Sequence, residues 1–596
     1  MKKIAILLLL IVVTFSAVFA QGALEAASEE GHEAGYQEGW DDAKADIPYS
    51  MNPGVMNGHT RPAVSGQAVV HAGSPEAAAA GYEVLVNGGN AFDAAMATAA
   101  AQTFSETMMT SIFGGDAEII IYDAKTKEVK VYNGTGWAPN NATVDFYLDM
   151  TGFPAYGIYS MEIPGEWSAW MTLLNDYGSM ELSDILEPVV GLAEEGMICN
   201  EFLYGTLSTL ASTGNDAAKA VFNPDMQLGD KVTNPDYANL LKKMGEVAQG
   251  MNFKAAEDYF YRGPIAEKIV AWNNEQGGLF SIEDFNEYHC EIQQPMTTNY
   301  RGYDVYVCPA NCQGPTLIEA LNILENFDLA SMEHNSAEYI NIVVQALNIA
   351  INDRNKYLGD PRFTDIPTAP WTKEYAAEMA KYIDPEHAMT EIPSFDADKF
   401  EDYNTKGPDT TFMAVVDSEG NMCIVTHSIN YYFGSGLMVD GLGFFMNDRI
   451  QNFSLDEEHQ NCLAAHKRPM QTITPSIGLK DGEPAFFVGT PNANNQEQTK
   501  LQVLLNYIEF GYRPQEAVEH PRFTTGHAPA FGKDTYNPGA LTLMNAFGTR
   551  QNAKLEEMGY KISYTANTGS LGFGIYENGM WTVGADPTRN AYSVGL

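Results

Sequence analysis

The chain has 596 residues, 45% hydrophobic and 11% aromatic, which is enough apolar material for a large buried core. Its 34 basic and 77 acidic residues give a formal net charge of −43. Such a surface repels phosphate backbones and anionic lipid, so no nucleic acid or membrane-surface partner is expected.

In chain order, Lys2 and Lys3 precede an almost wholly apolar run over residues 4–19 that ends in Val18-Phe19-Ala20. Residues 1–20 therefore read as a signal peptide, and a periplasmic or extracellular (secreted) product is expected. No later stretch is apolar for long enough to span a bilayer, so no membrane span is expected. Residues 21–65 form an acidic leader segment. Asn87-Gly88-Gly89-Asn90 should end one helix and cap the next, with Asp93 in its first turn. The alanines at 94, 95, 97, 99, 100 and 101 suit close packing of that helix on a sheet. Over 335–357, Ile340, Ile342, Val343, Leu347, Ile349 and Ile351 predict a long buried helix. The six cysteines at 199, 290, 308, 312, 423 and 462 are scattered without metal-type spacing, so no disulfide framework, metal or cofactor is expected.

The chemistry concentrates after residue 408. Pro408-Asp409-Thr410-Thr411 opens a β-rich run through Asp417, turn residues follow from Ser418 to Asn421, and a second β-rich run extends from Met422 to Ser428. A hairpin centred on Glu419 pairs Val416 with Met422, sets Thr410 opposite Ser428, and places Asn430 one step further along the same face. A threonine whose preceding peptide bond is cut carries both a hydroxyl nucleophile and a free amine to deprotonate it. A Thr-Thr pair at a strand start is also what β-propensity alone produces.

Motifs further along the chain give that pair its context: Phe433-Gly434-Ser435-Gly436, Asn447-Asp448-Arg449, Lys467-Arg468-Pro469 and Thr474-Pro475-Ser476-Ile477. The order resembles the small subunit of the gamma-glutamyltranspeptidase family, amidases that cut themselves before a threonine. NGGNAFDAA at 87–95, IFGGDAEIIIYDAKT at 112–126, IPGEW at 163–167, YRGYDVYVCP at 300–309, HNSAEYI at 334–340 and DRNKYLGDPRF at 353–363 resemble its large-subunit landmarks. ADPTR at 585–589 resembles its C-terminal signature, so the likeness covers about 66–596.

The resemblance implies an α+β fold, a four-layer αββα sandwich of the N-terminal nucleophile hydrolase type. It implies autocleavage between Asp409 and Thr410 into a large subunit, 66–409, and a small subunit, 410–596, held together as one heterodimeric domain. Thr410 is then the nucleophile, Ser428 a polar group converging on it, and Asn492 and Ala493 the oxyanion segment where the family carries a glycine pair. Side chains at those two positions should hinder close approach.

Substrate positions depart from the glutamyl enzymes. The acid for a substrate ammonium falls at Asn452, the paired serines fall at Gln471 and Thr472, and the large-subunit arginine falls near Thr135. Arg449 is similar to the arginine of the oxamate amidohydrolase-like branch, which implies a small acidic acyl group clamped through its carboxylate, with Asn430 orienting the substrate. An ordinary ion pair of Arg449 with Asp448 or Asp456 is equally open at this point. So are a true gamma-glutamyltransferase or glutathione hydrolase, and a catalytically decayed binding protein of the same fold. Asp456-Glu457-Glu458 reads as a solvated loop. The expected partners are a small-molecule amide and the chain's own two fragments.

Overall fold

The computed structural model describes residues 61–393, 409–529, 536–547 and 549–596. The predicted signal peptide, the leader up to residue 60 and the segment 394–408 lie outside the described residues.

The alternating β-rich runs form two large antiparallel sheets. In chain order their strands are β1 (Val64–Gly66), β2 (Val69–Ala72), β3 (Asp116–Asp123), β4 (Glu128–Gly134), β5 (Glu291–Gln293), β6 (Met296–Tyr300) and β7 (Tyr303–Val307). These are followed by β8 (Asp409–Val416), β9 (Met422–Asn430), β10 (Ser476–Lys480), β11 (Glu483–Gly489), β12 (Gly572–Glu577), β13 (Met580–Ala585) and β14 (Tyr592–Gly595). One sheet runs β14-β2-β8-β9-β3-β4-β5 and the other β1-β13-β12-β11-β10-β7-β6. Both sheets draw strands from either side of Asp409, so the two predicted subunits share both sheets.

Alternation along β8 shows how the layers stack. Met413 and Val415 pack into a core with the helices α1 (Pro75–Val86), α2 (Ala91–Ser105), α3 (Glu166–Tyr177) and α4 (Leu182–Glu195). Phe412, Ala414 and Val416 point the other way, into a smaller core with Ile477, Phe487 and Trp581 of the second sheet. Helices α5 (Gly314–Leu324), α6 (Ala337–Tyr357) and α7 (Gln496–Ile508) cover the outer face of that sheet. The order helix, sheet, sheet, helix is the expected αββα sandwich.

The local predictions hold where local chemistry sets them. The Asn90 side chain accepts from the backbone N–H groups of Phe92 and Asp93, and Asp93 accepts from Asn90 N–H, a reciprocal cap. All of 91–105 is buried, which explains the alanines. The approach of α1 is as close: a Cβ on Gly81 would lie 2.1 Å from Thr98 Oγ1. Helix α6 starts two residues inside the predicted span, capped by Ser336, and is buried from Ala337 to Arg354 except at Glu338. All six cysteines are free thiols. Among the described residues no helix is long and apolar enough to cross a membrane.

Candidate active site

The β8–β9 hairpin keeps the predicted register from Val416↔Met422 out to Thr411↔His427 and then breaks. Asp409 pairs with Asn430, so Ser428 and Ile429 together face Thr410 across a bulge. This corrects the expectation of a simple Thr410–Ser428 pair. The extra residue is accommodated at Asn430, whose φ of 84° lies in the left-handed region that asparagine tolerates, and whose N–H donates to Ser428 Oγ at 2.8 Å. On its other side Ser428 pairs with Asp116 of β3. Strand alternation sets Asp116, Ser428 and Thr410 on the face between the two sheets, all at most 1% exposed.

Arg449 pairs with neither Asp448 nor Asp456. Its Nε lies 3.3 Å from Asp116 Oδ2, with both side chains fully buried. Its Nη1 donates to Gln471 Oε1, and Gln471 Nε2 donates to Asp116 Oδ2 at 2.8 Å. The three side chains close a triangle. Gln471, expected to touch substrate, instead spends both ends of its amide holding Arg449 and Asp116. The Asp448 carboxylate accepts from Tyr431 N–H at 3.1 Å and Gln451 Nε2 at 2.8 Å, and burial pushes its pKa up to about 8. Asp456, Glu457 and Glu458 are exposed, as expected of a solvated loop.

On the segments that carry these side chains, several buried polar atoms have no hydrogen-bond partner among the described residues. They include Arg449 Nη2, Asn452 Nδ2, Thr472 Oγ1 and Asn430 Oδ1. Native proteins rarely leave such atoms unpaired unless something else binds there. Four of the five predicted substrate residues contribute one. Glu162 was not anticipated. A Cβ at Gly136 would lie 3.0 Å from both Glu162 Oε1 and Asp116 Oδ1, which places the two carboxyl groups side by side. Burial, then the charge of Asp116, pushes Glu162 well above the usual carboxylate range. Thr135, where the resemblance sets an arginine, donates its hydroxyl to Glu118 Oε1 at 3.0 Å.

Gln313 was also missed. Its Nε2 donates to the backbone carbonyls of Thr472 at 2.6 Å and Ala493 at 2.9 Å, joining two of the predicted site segments. Asn492 (φ 91°) and Ala493 (φ 44°) both take left-handed backbone at the start of the turn into α7. The positions where the resemblance sets a glycine pair thus keep a glycine-type backbone without glycine. Pro491, just before them, lines a small pocket with Thr411 and Phe412. An alanine held left-handed costs about 1–2 kcal/mol. Ala493→Gly should therefore raise stability by about 1 kcal/mol in chemical denaturation without lowering turnover.

A family model for gamma-glutamyltranspeptidase matches residues 77–596. The chain is 32% identical over 532 residues to the glutathione hydrolase-like YwrD proenzyme of Bacillus subtilis strain 168, covering 87% of this chain and 97% of that one. It is 31% identical over 533 residues to the glutathione hydrolase proenzyme of Escherichia coli K12, covering 85% and 89%. Among solved structures, cephalosporin acylase from Bacillus halodurans superposes with a TM-score of 0.80 at 28% identity, over 90% of this chain and 97% of that one.

Proposed function

The chain belongs to the gamma-glutamyltranspeptidase family of N-terminal nucleophile hydrolases and acyltransferases, and on that premise we propose that it cuts itself before Thr410 and then hydrolyses a small acidic amide. In the precursor the Thr410 hydroxyl attacks the Asp409 carbonyl. The C–O bond forms, the C–N bond breaks, and the nitrogen takes the proton. Water then releases the upstream chain from the ester, leaving 410–596 as the small subunit and the residues up to 409, without the signal peptide removed on export, as the large one. In the mature enzyme the free α-amine, which ordinarily titrates near ~8, accepts the hydroxyl proton while the substrate carbonyl is attacked. Backbone N–H groups at Asn492 and Ala493 receive the oxyanion, a contribution of about 10²–10³ per donor. Water resolves the acyl-enzyme ester by hydrolysis, or an amine by transfer.

The observation that carries the acyl-group assignment is the set of unpartnered buried donors at Arg449 Nη2, Asn452 Nδ2 and Thr472 Oγ1. Three hydrogen-bond donors, one on a guanidinium, match a carboxylate. A second reading, a true gamma-glutamyl enzyme, is favoured by one feature: the buried carboxyl pair of Asp116 and Glu162, joined by a shared hydrogen bond, can give up its proton and take a substrate ammonium with a charge that Asn452 lacks.

Amine release from a glutaryl anilide and from a gamma-glutamyl anilide separates the readings. The acidic-acyl reading expects kcat/KM on the glutaryl compound to be higher by about tenfold or more, the worth of one charged hydrogen bond. A preference for the glutamyl compound, abolished by Glu162→Gln, selects the second. An intact chain that turns over neither supports a decayed binding protein.

A further inference from the structure

The face of β8 that points away from the nucleophile carries a buried hydrogen-bond network that the reaction as proposed does not use. Thr411 Oγ1 donates to Glu106 Oε2 at 2.6 Å and accepts from Gln102 Nε2 at 3.0 Å. The same Gln102 nitrogen donates to Glu106 Oε1 at 2.8 Å. Both amide hydrogens are then spent, and Gln102 Oε1 faces His427 Nε2 at 2.9 Å as an acceptor. His427 Nδ1 meets Glu166 Oε1 at 2.7 Å, an oxygen that also accepts from Trp170 Nε1 at 3.1 Å. This pattern of donors fixes a hydrogen on His427 Nε2 and gives Gln102 a single orientation. Thr411, Gln102, Glu106, His427 and Glu166 are all at most 5% exposed.

Position gives the network its consequence. Thr411 is the last β8 residue in regular register before the break at residue 410. Once the 409–410 bond is cut, residue 410 is a chain terminus and Thr411 is its only covalent neighbour. Chain ends fray unless tied down, and here the ladder that ties down a strand end is interrupted. The Thr411 hydroxyl instead binds a carboxylate that has little room to move: a Cβ on Gly73 would lie 2.2 Å from Glu106 Oε2.

We propose that Thr411, held by Glu106 and Gln102, is a positioning residue that keeps the hydroxyl and amine of Thr410 in reacting geometry before and after cleavage. His427, braced by Glu166, holds Gln102 in the orientation this requires. The inference rests on the reading of Thr410 as the nucleophile.

Precursor processing needs no added substrate and is the primary readout, monitored by intact mass over time. Thr411→Val keeps the shape and strand propensity of the side chain and removes both hydrogen bonds, whereas Thr411→Ser keeps them. Thr411→Val should slow processing and lower kcat by about ten- to a hundredfold, with KM within about twofold of wild type. Thr411→Ser should recover both to within about threefold. Should Thr411→Val fail to fold by circular dichroism, Glu106→Gln carries the same test, because its amide sets a donor against a donor. Wild-type processing and kcat in folded Thr411→Val, or a Thr411→Ser as impaired as Thr411→Val, overturns the inference alone. A wild-type light chain that starts elsewhere than residue 410 overturns it together with the reading beneath it.

Discussion

Thr410→Ala leaves one uncut polypeptide and removes amide turnover by about 10⁴-fold or more, in the range seen when a nucleophile is deleted. The size of the effect comes from one oxygen serving twice. Without it neither the backbone ester nor the acyl-enzyme can form, and the remaining hydrogen bonds have no covalent step to stabilise. Thr410→Ser retains the oxygen and should still cut, more slowly, because serine lacks the methyl group that restricts χ1. Intact mass and amine release, measured on the three proteins side by side, check both statements. An alanine variant that cuts itself at the same bond would show that some other group attacks Asp409.

Arg449→Leu should have the second largest effect, and it should be visible in stability as well as in activity. The guanidinium is fully buried and is the ion-pair partner of Asp116, which burial already drives toward protonation. Removing it leaves a buried carboxylate uncompensated, at a cost of about 3–5 kcal/mol in chemical denaturation at neutral pH. Turnover of an acidic amide should fall by about ten- to a hundredfold as the charged donor at Nη2 is lost. The double variant Asp116→Asn/Arg449→Leu should be more stable than Arg449→Leu, since it removes the charge that was stranded, and should remain as inactive on the acidic amide. Equal stability of the single and double variants would mean that the pair is not coupled.

Local features are legible in the sequence, and non-local ones are hidden there. The Asn90 cap, the alanine-packed α2, the buried α6 and the hairpin turn between Asp417 and Met422 are each set by residues within a few positions of one another, and each forms as expected. The bulge opposite Thr410 cannot be read from the turn, because counting outward from Glu419 assumes an unbroken ladder; only the left-handed backbone at Asn430 reveals the extra residue. Arg449 stands out in the sequence as a cation among acids, but its partner lies on β3, remote in sequence from the nearby acids at 448 and 456. Asp116 and Glu162 stand inside or beside the landmarks IFGGDAE and IPGEW, and nothing in their spacing marks them as neighbours. At the proposed oxyanion segment the sequence shows side chains and hides the backbone. Side chains at 492 and 493 suggest obstruction, yet the backbone there takes the conformation that glycine would take, and backbone N–H groups are what that role requires. Thr411 looks like strand propensity alone because its partners, Gln102 and Glu106, come from the end of a helix in the other predicted subunit.

Everything proposed for the site depends on scission of the bond between Asp409 and Thr410, and mass spectrometry of freshly purified wild-type protein tests that most directly. Two fragments that remain associated are expected, the smaller with Thr410 as its first residue. A full-length chain that nevertheless hydrolyses amides, or a small fragment beginning at another residue, would contradict this.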